Sequence, residues 1–274
     1  MMHGLSVVLI LMGLSAPVVA TSETSSRFSQ YKPIYGLPAH WTSASDDLRA
    51  KYQVSFKLHA FEGDVGGVPI NFYFANTETV FWALYSSSSP ILETVFHPEF
   101  ILRWDDVIFR KIQLSLIDHE STGSGGNSGA RDADGRTGSR GWNRTSVELK
   151  VVDRDAGSLT CKVWLRSWWA WSIGRSTRGI EDFRKADIVL FLARDKGGVE
   201  DFISGSLALR PGLKKQGNIE LNLAVKYLPL LPQLLNLKWL GVSSHVQFWH
   251  GYGEGLLEYD ERTTSAGLGF SIYK

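Results

Sequence analysis

His119 and Ser121 lie two residues apart, just before a glycine-rich stretch, and Asn143 follows that stretch within Ser139-Arg140-Gly141-Trp142-Asn143-Arg144. On a strand, residues two apart project from the same face, about 6.5–7 Å along it. At that separation an imidazole can bend over to take the proton of a serine hydroxyl. A hairpin would bring the Asn143 amide beside the ring. Nucleophile, base and orienting group are the three roles of a serine hydrolase, here with an amide where a carboxylate is usual. Each residue alone has an ordinary reading: Ser121 as a loop-entry serine, His119 as a polar strand end, Asn143 as a turn residue. Only the combination points to catalysis.

The elements that would position these groups read as strands. Tyr52, Val54, Phe56, Leu58 and Ala60 alternate with Gln53, Ser55, Lys57 and His59. The same period recurs through 218–226, and at 265–273 with Ala266, Leu268, Phe270 and Ile272. Strict alternation over such lengths argues for strand. The pattern predicts strands near 52–60, 69–75, 78–84, 95–103, 106–118, 145–153, 159–171, 185–194, 201–209, 218–226, 239–250 and 265–273. No 3.6-residue period of comparable length occurs. Residues 227–240, apolar but broken by Pro229 and Pro232, read as an apolar turn or a short interfacial segment.

Composition narrows the class. The 274 residues carry a net charge of +1, with no basic run and no zinc-ligand spacing, so no nucleic-acid partner is expected. One cysteine, Cys161, excludes an intrachain disulfide. Aromatics reach 12% with ten tryptophans, a proportion suited to a protein whose aromatics sit at a membrane interface. Residues 5–20 read as the core of an export signal, with cleavage after Ala20, although Met1-Met2-His3-Gly4 lacks the usual basic residue. This sets out 1–20 as signal peptide, 21–30 as a polar lead-in and 31–274 as the folded domain. No other segment is long and apolar enough for a spanning helix, so a membrane form must cross as strands.

Strands of about 9–11 residues can cross a bilayer when tilted. In 160–171, Cys161, Val163, Leu165, Trp169 and Trp171 fall on one face, and Thr160, Lys162, Arg166 and Trp168 on the other. An apolar face ending in tryptophans fits a lipid-facing strand that reaches the headgroups, although a soluble sandwich strand would look similar. With the export signal, the expected fold is all-β: one antiparallel transmembrane barrel of about twelve strands, closed because lipid tolerates no sheet edge.

The chain resembles the outer membrane phospholipase A family of Gram-negative bacteria. The matching residues are Tyr31-Lys32-Pro33, Trp82 to Leu84, Ser88-Ser89-Pro90 with Glu93-Thr94, and His119-Glu120-Ser121. They continue with Ser139-Arg140-Gly141-Trp142-Asn143-Arg144, Gly251-Tyr252-Gly253-Glu254, Leu256 and Tyr259. The resemblance covers about 31–274. It implies a phospholipase A1/A2 and lysophospholipase of the outer membrane, active as a homodimer on phospholipid. Ser121 would be the nucleophile, His119 the general base and Asn143 the residue that orients the imidazole. It also implies Ca²⁺, held by Ser139, by a backbone carbonyl near Ser124, and by Ser89 of the partner subunit.

Some features depart from the family pattern. The segment between His119 and Asn143 is longer, and its Asp132 and Asp134 form an Asp-x-Asp-Gly run that either binds Ca²⁺ or is a solvated turn. Glu78 stands where the family has a glutamine at the dimer face. An ionised carboxylate there is costly, so it is expected to be protonated or to face the lumen. Parity raises a further difficulty: His119 and Ser121 share a face with Gln113 and Ser115, while Ile112, Leu114 and Leu116 lie opposite. A bulge between 114 and 118 would reconcile the triad with an outer, lipid-facing surface. The alternatives are a non-enzymatic pore, with Lys162, Arg166 and Glu220 lining its lumen, and a calcium-free esterase resembling lipid A deacylase.

Overall fold

The computed structural model describes residues 27–43, 48–65, 67–107, 110–123, 139–174, 177–194, 203–225 and 242–272. In chain order the strands are β1 (Phe28–Gln30), β2 (Ile34–Thr42), β3 (Leu48–Val65), β4 (Val68–Trp82), β5 (Ile91–Val107), β6 (Arg110–Gly123) and β7 (Ser139–Ala156). They continue as β8 (Leu159–Ile173), β9 (Ala186–Arg194), β10 (Ile203–Arg210), β11 (Asn218–Val225), β12 (Val242–Tyr252) and β13 (Arg262–Ile272), with one helical turn, α1 (Ile180–Phe183), before β9. From β2 to β13 each strand pairs antiparallel with the next, and β13 pairs back onto β2, Ser265 against Thr42 through Ile272 against Ile34. The result is a closed barrel of twelve strands with no free edge.

Burial is inverted relative to a soluble protein. Leu58, Phe100, Leu165, Leu221 and Phe248 are exposed on the outside, whereas Lys51, Glu99, Asp118, Arg144 and Arg166 are buried inside. Only an apolar solvent around the barrel accounts for that arrangement. Lys162, Arg166 and Glu220 all line the lumen cavity. Trp169 and Trp171, 75% and 55% exposed, stand outward near the end of β8, as the aromatics of a membrane-interface belt do. No helix among the described residues is long and apolar enough to cross a membrane.

The lumen is occupied from both directions. Tyr31 and Lys32 enter beside β3 and reach Glu99, at 3.2 Å from the tyrosine hydroxyl and 3.1 Å from Lys32 Nζ. At the opposite mouth the segment after β12 folds inward, burying Leu256 and Tyr259 against Val95, Trp142, Trp168 and Ile180. Gly251 and Gly253 make this inward turn with φ of 127° and 72°, a region that side-chain-bearing residues avoid. A Cβ at Gly251 would also lie 2.3 Å from the Gly217 carbonyl oxygen.

Three sequence expectations change. The segments 69–75 and 78–84 are one strand, β4, while Ile34–Thr42, not expected as a strand, is β2. The two differences cancel in the count. Phe28–Gln30, placed in the lead-in, forms β1 by pairing with Phe56–Leu58 of β3. The export signal and the segment 227–240 lie outside the described residues.

Candidate active site on the lipid-facing surface

The β6 strand carries the extra residue that its parity required. Its register slips between Ser115 and Asp118 against β7, and between Phe100 and Ile101 of β5, leaving Leu116 unmatched. Leu116 and Ile117 are consecutive yet both exposed, at 39% and 43%. A bulge of this kind reverses the alternation downstream. Before it Ser115 points inward; after it Asp118, Glu120 and Thr122 point inward, so His119 and Ser121 face out.

On that outer face His119 lies directly opposite Asn143, and Ser121 opposite Gly141. The imidazole Nδ1 and the Asn143 Oδ1 are 2.8 Å apart. An amide oxygen can only accept, so Nδ1 carries the proton and Nε2 is left as the basic nitrogen. A methyl group built at Gly141 would lie 3.6 Å from the Ser121 Cβ, an ordinary van der Waals contact, so only a larger side chain there would crowd the serine. The arrangement is that of a base with a fixed tautomer beside a serine, on the surface where acyl chains lie.

The inner face beneath is charged and closely paired. Asp118 stands opposite Arg144, with 2.8 Å between Oδ2 and Nε, an ion-pair contact outside hydrogen-bond alignment. Glu120 stands opposite Trp142, whose Nε1 donates to Oε2 at 3.0 Å. Arg144 Nη1 reaches the same oxygen at 3.2 Å, and Arg184 Nη1 holds Oε1 at 3.1 Å. Glu120 and Arg144 are named in the sequence motif without a role. Their alternation with outward residues of opposite function was the available signal; their pairing depends on register.

Of the candidate calcium ligands, Ser139 opens β7 on the outer face, opposite Gly123 and two positions from Gly141. Ser89 lies in the turn between β4 and β5 at the same barrel end, with φ 44° and its hydroxyl donating to the Leu84 and Ser86 carbonyls. Ser124, Asp132 and Asp134 lie outside the described residues. Hydroxyl and carbonyl oxygens are hard donors of the kind Ca²⁺ takes. Within the described residues, one cluster has metal-ligand composition: His97, Glu99 and Asp118, with ligand atoms within 4.8 Å of one another. It sits inside the barrel, and Lys32, Arg144 and Arg166 already neutralise its carboxylates.

Glu78 does not face the lumen. It lies opposite Val54 and Phe96, both exposed outward, in the same row as Ser121. At the barrel mouth, outside the strands, burial would push the Glu254 carboxyl up. The Lys51 ammonium at 3.0 Å outweighs it, with hydrogen bonds from His40 and Ser265 adding to the effect, and holds the group down at about 2.

The sequence matches the model of the phospholipase A1 family over residues 16–272. The chain belongs to that family. Among solved structures it is similar to the outer membrane phospholipase A of Escherichia coli, with TM-score 0.65 at 20% identity over 91% of this chain and 99% of that one. It is also similar to the Salmonella typhi outer membrane phospholipase, a dimer with bound calcium, with TM-score 0.66 at 19% identity over 92% and 94%. No curated protein sequence matches the chain at a significant level. At these identities the structures establish the barrel fold, and the family match establishes the enzyme class. The chain is a phospholipase A1-family hydrolase.

Proposed function

We propose that the chain is a calcium-dependent serine hydrolase that releases fatty acyl chains from glycerophospholipids at the lipid-facing rim of the barrel. The observation that carries this reading is the 2.8 Å contact of His119 Nδ1 with Asn143 on the outer face that also bears Ser121. Ser121 Oγ attacks the ester carbonyl while His119 Nε2 takes its proton, and the imidazolium returns that proton to the departing glyceryl oxygen. Water, activated by the same nitrogen, then cleaves the acyl-serine ester.

A neutral amide stabilises the imidazolium less than a carboxylate does, so more of the barrier must be lowered at the oxyanion. Ca²⁺ at this position would polarise the ester carbonyl and stabilise the negative oxygen that forms. Ser139 and the carbonyl near Ser124 would hold it, with Ser89 contributed by a second copy of the chain. This makes the homodimer the active form. Asp118 and Glu120 point inward, so the described residues beside Ser121 offer neutral oxygens only, and binding depends on the partner's contribution. Residues 1–20 belong to the same reading as an export signal cleaved after Ala20, with 31–274 as the phospholipase barrel.

A pore is disfavoured by the residues that fill the lumen from both ends. The deciding experiment is fatty-acid release from phospholipid in detergent micelles, with CaCl₂ and with EDTA, beside Ser121→Ala. Activity that needs both calcium and Ser121 is expected. Undiminished turnover by Ser121→Ala would refute the mechanism, and undiminished turnover in EDTA would make the chain a calcium-free esterase.

A further inference from the structure

We propose that Arg144 is a positioning residue that sets the His119–Asn143 geometry from inside the barrel. The proposal rests on the reading of Ser121, His119 and Asn143 as the catalytic groups. His119 and Asn143 are opposed on the outer face of β6 and β7, and their chain neighbours are opposed on the inner face. Asp118 and Glu120 flank the histidine; Trp142 and Arg144 flank the asparagine. The contacts between those neighbours form two inner rungs, Asp118 with Arg144 and Glu120 with Trp142. Arg144 supplies the diagonal, since its guanidinium touches both carboxylates, at 2.8 Å and 3.2 Å. The outer His119–Asn143 rung is therefore bracketed from within by one side chain bonded to both neighbours of the histidine and adjacent in chain to the asparagine.

Arg144 is itself held rigidly. Its guanidinium carbon lies 4.2 Å from the Trp142 ring centroid and 4.8 Å from that of Trp168, and both rings belong to the buried cluster at the barrel mouth. The charged and titratable groups around it are Asp118 and Glu120 of β6, His97 of β5 at 3.1 Å, Arg166 of β8, and Arg184 on the far oxygen of Glu120. Asp118 has a second cation in Arg166 and Glu120 has one in Arg184, so neither carboxylate depends on Arg144 alone for neutralisation. The feature unique to Arg144 is the bridge between them. A planar guanidinium presents separate nitrogens to two carboxylates in a fixed fork, a geometry that an ammonium on a flexible stem does not fix. Small displacements of catalytic groups are expensive, so a bridge that fixes one strand pair from the side opposite the substrate has direct consequences for rate.

The test uses the full barrel in detergent micelles, with folding checked by heat-modifiable electrophoretic mobility. Arg144→Gln is expected to lower kcat about 10- to 100-fold with KM little changed. Because Arg144 acts through the His119–Asn143 pair, Arg144→Gln combined with Asn143→Ala should be no slower than Asn143→Ala alone. If Arg144→Gln fails to fold, Arg144→Lys carries the same measurements, since it keeps a buried cation but not the rigid fork. A folded Arg144 variant with unchanged kcat overturns the proposal, as do losses that multiply with Asn143→Ala. Ser121→Ala in the same series separates the two ideas: activity retained there removes the catalytic reading and this inference with it, whereas an inactive Ser121→Ala beside a fully active Arg144 variant removes only this inference.

Discussion

Ser121 and Gly141 face each other across the β6–β7 ladder, and the nearest heavy atoms to a Cβ added at Gly141 are 3.6 Å away, at Glu120 O and Ser121 Cβ. That distance is ordinary van der Waals contact, so a methyl group fits and a longer side chain would lie over the hydroxyl. Gly141→Ala is therefore expected to keep most esterase activity, while Gly141→Leu should lose it in a folded barrel. The rate of Ser121 modification by a fluorophosphonate, measured beside phospholipid turnover, checks this. Equal labelling of the leucine variant and the wild type would show that the space above Ser121 is not what the glycine provides.

In the proposed mechanism Asn143 contributes one neutral hydrogen bond, whereas Ser121 and His119 take part in bond making. Asn143→Ala should retain a measurable residual activity, lowered about 10²-fold, with Ser121→Ala and His119→Ala lower still. Single-turnover acyl release from the three folded variants would establish the order. Equal losses in all three would mean that the amide is as indispensable as the base.

How much of this was legible before the fold was known follows from where the residues lie. His119, Ser121 and Asn143 could be brought together from spacing alone, and the parity of Ile112, Leu114 and Leu116 against His119 located the bulge. The β2 strand was invisible because Gly36, Pro38 and His40 dilute its alternation, and its own register slips between Leu37 and His40. The polar step at Asn76-Thr77 divided β4 in the reading, although Thr77 is simply an inward residue hydrogen-bonded to Ser55 at 2.8 Å. The Asp118–Arg144 and Glu120–Trp142 rungs needed the register of two strands joined by a long connection. Barrel interiors are polar, so no apolar stripe announces such pairs.

The bulge yields its own prediction. Deleting Leu116 would put one end of β6 out of phase, turning either His119 and Ser121 or the residues before Ser115 to the wrong side. A one-residue slip inverts every later side chain, here burying apolar groups among charges or exposing Asp118 and Glu120 to lipid. The deletion should abolish the heat-modifiable folded form, whereas Leu116→Ala should fold and remain active. Folded, active protein from the deletion would mean that β6 takes up the change elsewhere.

Glu254 ties the inward segment to the barrel through Lys51, His40 and Ser265. Its carboxyl is held at about 2, below the ordinary carboxylate value, so the stabilisation is complete above about pH 5 and is lost as pH falls toward 2. The difference corresponds to roughly 3 kcal/mol at neutral pH. Burial raises the Glu258 carboxyl in the same segment, which acts in the opposite sense and favours the folded segment at lower pH. Protease sensitivity of the 253–261 segment in micelles should therefore rise between pH 5 and 2. Glu254→Gln should be more sensitive at neutral pH and less dependent on acid. A wild-type segment equally protected at pH 2.5 and 7 would contradict the role given to Glu254.

Glu78 places a carboxylate on the outer surface, in the row Val54, Glu78, Phe96, Ser121. A charge at the middle of a bilayer costs about 2.5–3.5 kcal/mol on insertion scales, and less toward the interface. If this face meets a second copy of the chain, as proposed for the active form, two such side chains are brought together, and either their repulsion or the cost of neutralising them opposes association. Glu78→Gln is neutral at any pH and keeps hydrogen-bonding groups that can satisfy each other across the interface. The glutamine variant should therefore show a larger dimer fraction than the wild type in micelles with CaCl₂ at neutral pH, and higher specific activity at low protein concentration. Sedimentation velocity in density-matched detergent, run beside turnover, measures both. A variant no more dimeric than the wild type would mean that Glu78 does not oppose association.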